Sequence, residues 1–179
     1  MRLNEKISKE ILPRLAKENA RSILELPALG KVVITVGLGP FMERKDILES
    51  IKSEFALITG QKPKFTIAKK SISGFKLREG QTVGYQVTLR GKRMWDFIER
   101  LTMVVLPRLR DFDGVRPKSL DRSGNLTLAV KEQTIFPEIK ADEVKENWGM
   151  GITLALKTSK ETEIAQKYYK ELGIIFKEA

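Results

Sequence analysis

The sequence predicts an α+β fold, a single two-layer domain in which helices cover one face of an antiparallel-rich sheet. Strand-like and helix-like segments follow each other without a regular strand–helix–strand period, which argues against a parallel sheet. The chain has 179 residues, of which 41% are hydrophobic and 31% charged. This is long enough for one core and too apolar for a disordered chain. We therefore expect one domain over residues 1–179.

The first part of the chain is predicted to contain two helices and one strand. An N-terminal helix within residues 1–22 has apolar residues at four-residue spacing, and Pro13 interrupts or kinks it. Residues 31–36 are typical of a strand, because they are mostly apolar and β-branched. A second helix over residues 43–58 ends at Gly60. Its apolar stripe consists of Ile47, Ile51, Phe55 and Ile58.

The rest of the chain continues the mixed pattern. Apolar periodicity predicts a third helix, which Pro107 ends, and turn-forming residues predict a long loop after it. The predicted elements are strands over 63–68 and 83–90, a helix over 92–105, a loop over 108–124, strands over 125–130 and 152–158, and a closing helix over 161–172.

The positive charge of the chain is concentrated in one segment. Residues 60–93 contain nine lysines and arginines but only one acidic residue, Glu79, and so carry +8 of the total net charge of +10. A concentrated basic surface is typical of a protein that binds a polyanion. A solvated basic face without a partner is the alternative.

Several classes of function are not expected. Histidine and cysteine are both absent, so the commonest metal ligands and the usual general base are missing. Gly37-Leu-Gly39 follows a strand but completes neither phosphate-loop motif. We expect a tight turn that needs the positive φ of glycine, and a backbone that approaches an RNA phosphate closely is the alternative. The charged N-terminus resembles no signal peptide, and no run of about 18 apolar residues could span a membrane. We expect no catalytic residue, metal, cofactor, small-molecule substrate or membrane contact.

Two predicted strands in the basic segment place polar groups on one face. Along residues 59–70, amide, hydroxyl and ammonium groups alternate with apolar side chains, so Phe65 and Ile67 point to the opposite face. In the second strand, Gln86, Thr88 and Arg90 share a face. Such a row of donors can contact phosphates, 2′-hydroxyls and base edges. An ordinary strand with one solvated side is the alternative.

A basic hairpin extension is predicted between these strands, over residues 69–84. It contains Phe75, which has few apolar neighbours in the sequence. A charged loop that displays an aromatic ring suits contact with a nucleic-acid backbone and stacking on a base. The alternative is a solvated loop whose Phe75 folds back onto the domain.

At several places the chain resembles the bacterial large-subunit ribosomal protein L5 family. The resemblance runs in order from about residue 24 to the end, through TGQKP (59–63), KKSISGFKLREG (69–80), VTLRGKRMWDFIERL (87–101), LPRLRDF (106–112) and KEQTIFPEI (131–139). It implies a fold akin to an RNA-recognition domain. It also implies a non-catalytic role in the cytoplasmic ribosome, where the family binds 5S rRNA beside other 5S-binding proteins in the central protuberance.

The resemblance also implies roles for individual segments and residues. The basic hairpin would contact peptidyl-site tRNA, and the long loop would contact a protein of the small-subunit head. The expected rRNA-binding residues are Thr35, Gly37, Gln61, Lys62, Lys64, Thr66, Lys69, Thr88, Arg90, Lys92 and Arg93. The expected tRNA-binding residues are Lys70, Ser71, Ser73, Phe75, Lys76 and Arg78. The expected residues of the intersubunit bridge are Arg110, Asp111, Phe112, Asp113 and Arg116.

The chain departs from the family pattern at a few positions. Thr35 stands where the family usually has asparagine, and a hydroxyl cannot replace the donor and acceptor of an amide together. Asp113 stands where arginine is usual, which reverses a charge in the predicted bridge loop. Two other classes of function remain open, a free RNA-binding chaperone or regulator and an enzyme that acts on RNA.

Overall fold

The computed structural model describes residues 3–75, 77–109, 112–158 and 161–177. Their five strands form one antiparallel sheet in the order β2-β3-β1-β5-β4, which confirms the predicted α+β class. The strands are β1 (Ala28–Gly37), β2 (Lys64–Ile67), β3 (Thr82–Leu89), β4 (Leu126–Val130) and β5 (Met150–Thr158).

Two of the four longer helices in the described residues are regular α-helices. They are α2 (Lys45–Thr59) and α4 (Thr162–Glu171). The predicted stripe of α2 is buried, and Gly60 ends the helix with a φ of 64°, its N–H donating to the carbonyl oxygen of Ala56 at 2.9 Å. A residue without Cβ adopts this conformation at little cost, which explains the glycine at this position.

The other two helices, α1 and α3, each contain a π-helical turn before a proline. Helix α1 consists of Leu3–Lys6, the π-turn Ile7–Ile11 and Leu12–Glu18. Helix α3 consists of Gly91–Arg100, the π-turn Leu101–Val105 and Leu106–Arg108. A proline ring would clash with a carbonyl of the preceding regular turn, and the wider turn accommodates it. The expectation that Pro107 ends its helix is therefore wrong.

Six short 3-10 turns complete the described secondary structure. They are Ile23–Glu25, Gly39–Phe41, Ser73–Phe75, Pro117–Ser119, Gln133–Ile135 and Ala141–Glu143.

The chain forms two compact units. The first unit comprises Met1–Val32, Leu89–Leu128 and Thr153–Ala179, and the second comprises Val33–Thr88 and Ala129–Ile152. In the first unit, α4 packs against the sheet, and the Tyr169 hydroxyl donates to the carbonyl oxygen of Leu154 at 3.0 Å. In the second unit, α2 packs against β3, where the Tyr85 hydroxyl donates to the carbonyl oxygen of Leu48 at 3.1 Å. Burial, and secondarily the charge of Glu49, raises the pKa of Tyr85.

Gly84 of β3 lies where neighbouring backbone leaves no room for a side chain. A Cβ at this position would lie 2.7 Å from the carbonyl oxygen of Val36, an atom that cannot rotate away. We expect Gly84→Ala to lower the free energy of unfolding by about 1–3 kcal/mol, as overpacking does in protein cores. Urea denaturation measures the effect. Gly37→Ala is the control, because no atom lies within 4 Å of its added Cβ. Equal losses in the two variants would contradict the account.

Candidate RNA interface

In the second unit, alternate residues of the central strands point to opposite sides of the sheet. On β1, Ile34 and Val36 are buried, whereas Thr35 and Gly37 are exposed. On β3, Tyr85 and Val87 are buried, whereas Gln86 and Thr88 are partly exposed. Helix α2 lies on the side of Tyr85. The exposed set therefore occupies the opposite side, which no helix of this unit covers among the described residues.

Strand β2 extends this exposed side at the edge of the sheet. It pairs with β3 in antiparallel register, with Lys64 opposite Gln86 and Thr66 opposite Gly84. Directly paired residues project to the same side of a sheet. Lys64 and Thr66 consequently stand beside Gln86. We call the exposed residues of this set the open face; it consists of Thr35, Gly37, Lys64, Thr66, Gln86 and Thr88.

Of the two apolar residues of β2, Phe65 points away from the open face, as predicted, whereas Ile67 follows a shift in the strand register and pairs with Thr82. Phe65 lies opposite Tyr85, with 5.6 Å between the ring centroids, and the Lys52 ammonium of α2 lies 5.1 Å from the Phe65 centroid. Phe65 nevertheless remains 47% exposed, because β2 is an edge strand with a neighbour on one side only. Its contacts with Tyr85 and Lys52 orient the ring toward the helix side.

The open face combines small size with hydrogen-bonding capacity. It offers three hydroxyls, one amide, one ammonium and one glycine, so a flat polymer can approach the backbone closely at Gly37. The one contact of the Thr35 hydroxyl within the described residues is long, 3.5 Å to the carbonyl oxygen of Gly151. This hydroxyl is therefore weakly engaged within the protein and keeps an acceptor lone pair for a ligand.

Gln61 and Lys62 lie outside the strands, in the connection between α2 and β2. The Thr59 hydroxyl fixes this connection, since its oxygen lies 2.8 Å from the carbonyl oxygen of Phe55 and 3.1 Å from that of Gln61. Gln61 lines an open groove of about 540 Å³ together with Lys52 and Lys62. Strand β2 is shorter than the predicted 63–68, so the polar row of the open face begins at Lys64 rather than at residue 59.

The basic hairpin continues from β2 and β3. Ala68 and Gly80 are joined by a hydrogen bond of 3.0 Å, and Ile72 pairs with Leu77 in antiparallel fashion nearer the tip. Phe75 is 80% exposed, so it does not fold back onto the domain. Of the other predicted tRNA contacts, Lys70, Ser71, Ser73 and Arg78 are exposed, whereas Lys76 lies outside the described residues. Lys69, predicted to bind rRNA, is exposed at the base of the hairpin.

Three predicted rRNA contacts belong to the first unit, at the start of α3. Arg90 is the extended residue before the helix, and Arg90, Lys92 and Arg93 are all exposed. Lys92 lines a groove with carboxylates, including Asp96 and Glu99. The electrostatic potential at Lys92 is therefore less positive than the three basic residues Arg90, Lys92 and Arg93 would produce alone.

The predicted bridge loop docks onto the C-terminal segment of the first unit. The buried Val115 pairs with Phe176 in parallel fashion, its N–H donating to the carbonyl oxygen of Ile175 at 2.8 Å. Asp113, which stands where the family usually has arginine, forms an ion pair with Lys177, with 3.1 Å between the Asp113 Oδ2 and the Lys177 Nζ. Phe112 is half-buried and Arg116 exposed, whereas Arg110 and Asp111 lie outside the described residues. The reversed charge at residue 113 thus has a partner within the chain.

A turn at the end of this loop is held by Asp121. Its carboxylate accepts hydrogen bonds from the N–H groups of Ser123 and Asn125, at 2.8 and 2.7 Å, and from the Asn125 amide. Desolvation alone would raise the pKa of Asp121, but these hydrogen bonds outweigh it and hold the pKa below its usual value. The Asn125 oxygen in turn accepts from the Leu156 N–H at 3.1 Å, which joins the turn to β5.

Two other kinds of site are absent from the described residues. No three carboxylates in ranges 3–75, 77–109, 112–158 and 161–177 come together as a metal site would require. Within the same ranges, no helix combines the length and apolar character needed to cross a bilayer.

Comparison with known proteins gives consistent results over the chain. Residues 22–78 match the family model described as ribosomal protein L5, and residues 82–176 match the model of the C-terminus of the same ribosomal family. The large ribosomal subunit protein uL5 of Geotalea uraniireducens is 47% identical over 177 residues, which make up 98% of each chain. The protein of the same name from Streptococcus thermophilus is 47% identical over 176 residues, 98% of this chain and 97% of the relative.

Proposed function

Because the chain belongs to the ribosomal protein L5 family, whose members are structural components of the large ribosomal subunit and not enzymes, we propose that its open face binds 5S rRNA. The observation that carries the proposal is the open face itself. Its small donors lie on one side of three neighbouring strands, opposite the side on which α2 packs. RNA in this position would meet hydroxyl, amide and ammonium groups without displacing any bulky side chain.

The proposed contacts divide by their chemistry. Lys64 and Lys69 neutralise phosphates, whereas Thr66, Gln86 and Thr88 hydrogen-bond to 2′-hydroxyls or base edges. Thr35 offers one hydroxyl where the family usually has an amide, so it makes a single contact there. The connection after α2 adds a side chain at the sheet edge, the amide of Gln61. Gly37, Lys62, Arg90, Lys92 and Arg93 complete the proposed rRNA contacts.

We assign the remaining partners to other segments. The hairpin over residues 69–84 contacts peptidyl-site tRNA through its exposed basic side chains and the ring of Phe75. The loop over residues 108–124 contacts a protein of the small-subunit head. Because Asp113 is paired with Lys177, that contact uses Arg116 and Phe112 rather than a charge at residue 113.

The salt dependence of 5S rRNA binding tests the electrostatic part of this proposal. If about four to six of the cations in residues 60–93 neutralise phosphates, a log–log plot of affinity against salt should have a slope of roughly −3 to −5. Filter binding or fluorescence anisotropy measures it, with a random RNA of equal length as the control. A slope near zero would contradict the proposal. Equal affinity for both RNAs at physiological salt would favour a free RNA chaperone instead.

Deletion of residues 73–78, with the gap closed by glycines, should distinguish the function of the hairpin from that of the open face. The sheet pairing of β2 with β3 ends before this tip, and loop-closure entropy changes slowly with length. We expect 5S rRNA affinity to change by less than about twofold. Retention of peptidyl-site tRNA should weaken by about 1–2 kcal/mol, because exposed phosphate contacts are screened.

The measurement for this deletion is paired. One arm is the 5S rRNA affinity of the purified variant, and the other is tRNA dissociation from ribosomes that carry it. Loss of 5S rRNA binding with unchanged tRNA retention would show that the division of labour is wrong.

A further inference from the structure

A second groove lies in the first unit, between the start of α1 and the first turns of α3. Its volume is about 330 Å³, near the lower end of the ~300–1,000 Å³ range of ligand pockets, so it can accept one or two side chains. On α3 it is lined by Lys92, Trp95, Asp96 and Glu99, whose spacing of three or four residues places them on one face of a helix. On α1 it is lined by the buried Leu3 and the exposed Glu5.

The groove is acidic on a strongly basic chain. Three carboxylates, those of Glu5, Asp96 and Glu99, face one ammonium, that of Lys92. None of the three carboxylates forms an ion pair with a residue that the structure describes. Some other acidic groups of the first unit do have a cationic partner; Glu161, for example, pairs with Arg21 at 2.6 Å. The residues that line the groove therefore carry a net negative charge, which attracts a cationic side chain.

An aromatic ring lies among these carboxylates. Trp95 is half-buried, and the part of its indole that α3 leaves accessible lines the groove. Tryptophan binds a cation over its ring face more strongly than other aromatic residues do. Carboxylates pair with a guanidinium in bidentate fashion, and this guanidinium can stack on the ring at the same time.

We propose that this groove binds a basic, extended segment of a partner protein, which inserts an arginine or lysine side chain between Trp95 and the carboxylates of Asp96 and Glu99. The proposal rests on charge complementarity and does not depend on the assignment of the open face to 5S rRNA. Lys92 opposes the inserted cation, and its flexible stem lets the ammonium turn toward solvent. We therefore expect Lys92 to favour the binding of RNA and to oppose the binding of the basic segment.

The test uses the full chain labelled with ¹⁵N and the capped peptide Gly-Arg-Gly-Arg-Gly-Arg-Gly as the probe. The indole N–H signal of Trp95 should shift on titration. That of Trp148 should not, because Trp148 is buried in the second unit and its indole donates to Glu54. Trp95→Phe assigns the two signals.

Variants of the groove charges then identify the contacts. Asp96→Asn with Glu99→Gln should weaken peptide binding about three- to tenfold, the range expected for two exposed ion pairs. Lys92→Gln should strengthen it about twofold while leaving RNA binding equal or weaker. The control is Glu132→Gln with Glu163→Gln, which removes the same charge from exposed positions outside the groove and should change nothing.

Several results would overturn the proposal. One is a Trp95 signal that does not shift with the peptide, and another is an equal loss of peptide binding in the control variant. A shift of Trp95 by RNA but not by the peptide would identify the groove as an RNA contact. If Arg2→Ala bound the peptide at least tenfold more tightly than the unchanged chain, the occupant would be the chain's own N-terminus rather than a partner.

Discussion

Thr88→Glu is expected to weaken 5S rRNA binding by about 30- to 150-fold. The substitution removes a hydroxyl that contacts RNA, worth about 1–2 kcal/mol, and places a carboxylate near phosphates, which adds about 1 kcal/mol of repulsion in a wet interface. Thr88 lies on the open face of β3 and is half-buried, between the buried Val87 and Leu89. The folded state should lose no more than about 1 kcal/mol, the span of strand propensities.

The matched control for this variant is Leu57→Glu. Leu57 lies on α2 and is 61% exposed, so the same carboxylate enters the second unit without burial and away from the open face. Its 5S rRNA affinity should change by less than about threefold, which is the effect of one screened surface charge. Both affinities can be measured by anisotropy at fixed salt. Equal losses in the two variants would mean that the charge of the protein, and not the open face, governs binding.

Trp148→Ala is expected to lower the free energy of unfolding by about 3–5 kcal/mol, as large-to-small changes of buried aromatic residues do. Trp148 is buried and packs edge-on against Phe55 of α2, with ring centroids 6.0 Å apart. Its indole N–H donates to the Glu54 carboxylate at 2.8 Å, and its backbone N–H donates to the Gln133 side chain at 3.0 Å. The variant would leave a cavity and remove a donor from Glu54.

Trp148→Phe separates the two contributions. It keeps an aromatic ring against Phe55 but removes the N–H donor to Glu54. We expect a loss of about 1–2 kcal/mol, the usual effect of removing one hydrogen bond to a charged group, because Glu54 keeps its hydrogen bond from the Ser50 hydroxyl. Urea denaturation followed by circular dichroism measures both variants. Equal losses would show that the hydrogen bond, rather than the packing of the ring, dominates.

Local pattern was sufficient for the elements whose structure depends on neighbouring residues. The stripe of α2 follows from helical spacing, and Gly60 follows from the need for a left-handed residue at the helix end. The open face was predictable for the same reason, since period-two alternation places Gln86 and Thr88 on one side of a strand. The π-turns before Pro13 and Pro107 were not predicted, because a proline can either end a helix or be accommodated by a wider turn.

Contacts between distant segments could not be predicted from local pattern. Glu54 and Trp148 are 94 positions apart in the chain and meet only when α2 packs against the segment before β5. The fully buried Gln133, which joins them, was missed, because it stands between the polar residues Glu132 and Thr134 and nothing in the local pattern marks it as buried. Likewise, Asp113 finds Lys177 through the pairing of Val115 with Phe176, which neither segment indicates alone.

The measurement that tests the central claim most directly is methyl NMR of the protein titrated with 5S rRNA. Thr35, Thr66 and Thr88 place methyl groups on the open face, and Leu57 places its methyl groups on the exposed side of α2. Binding through the open face should shift or broaden the three threonine methyl signals and leave those of Leu57 unchanged. Changes confined to Leu57, with the threonine signals unaffected at saturating RNA, would contradict the claim.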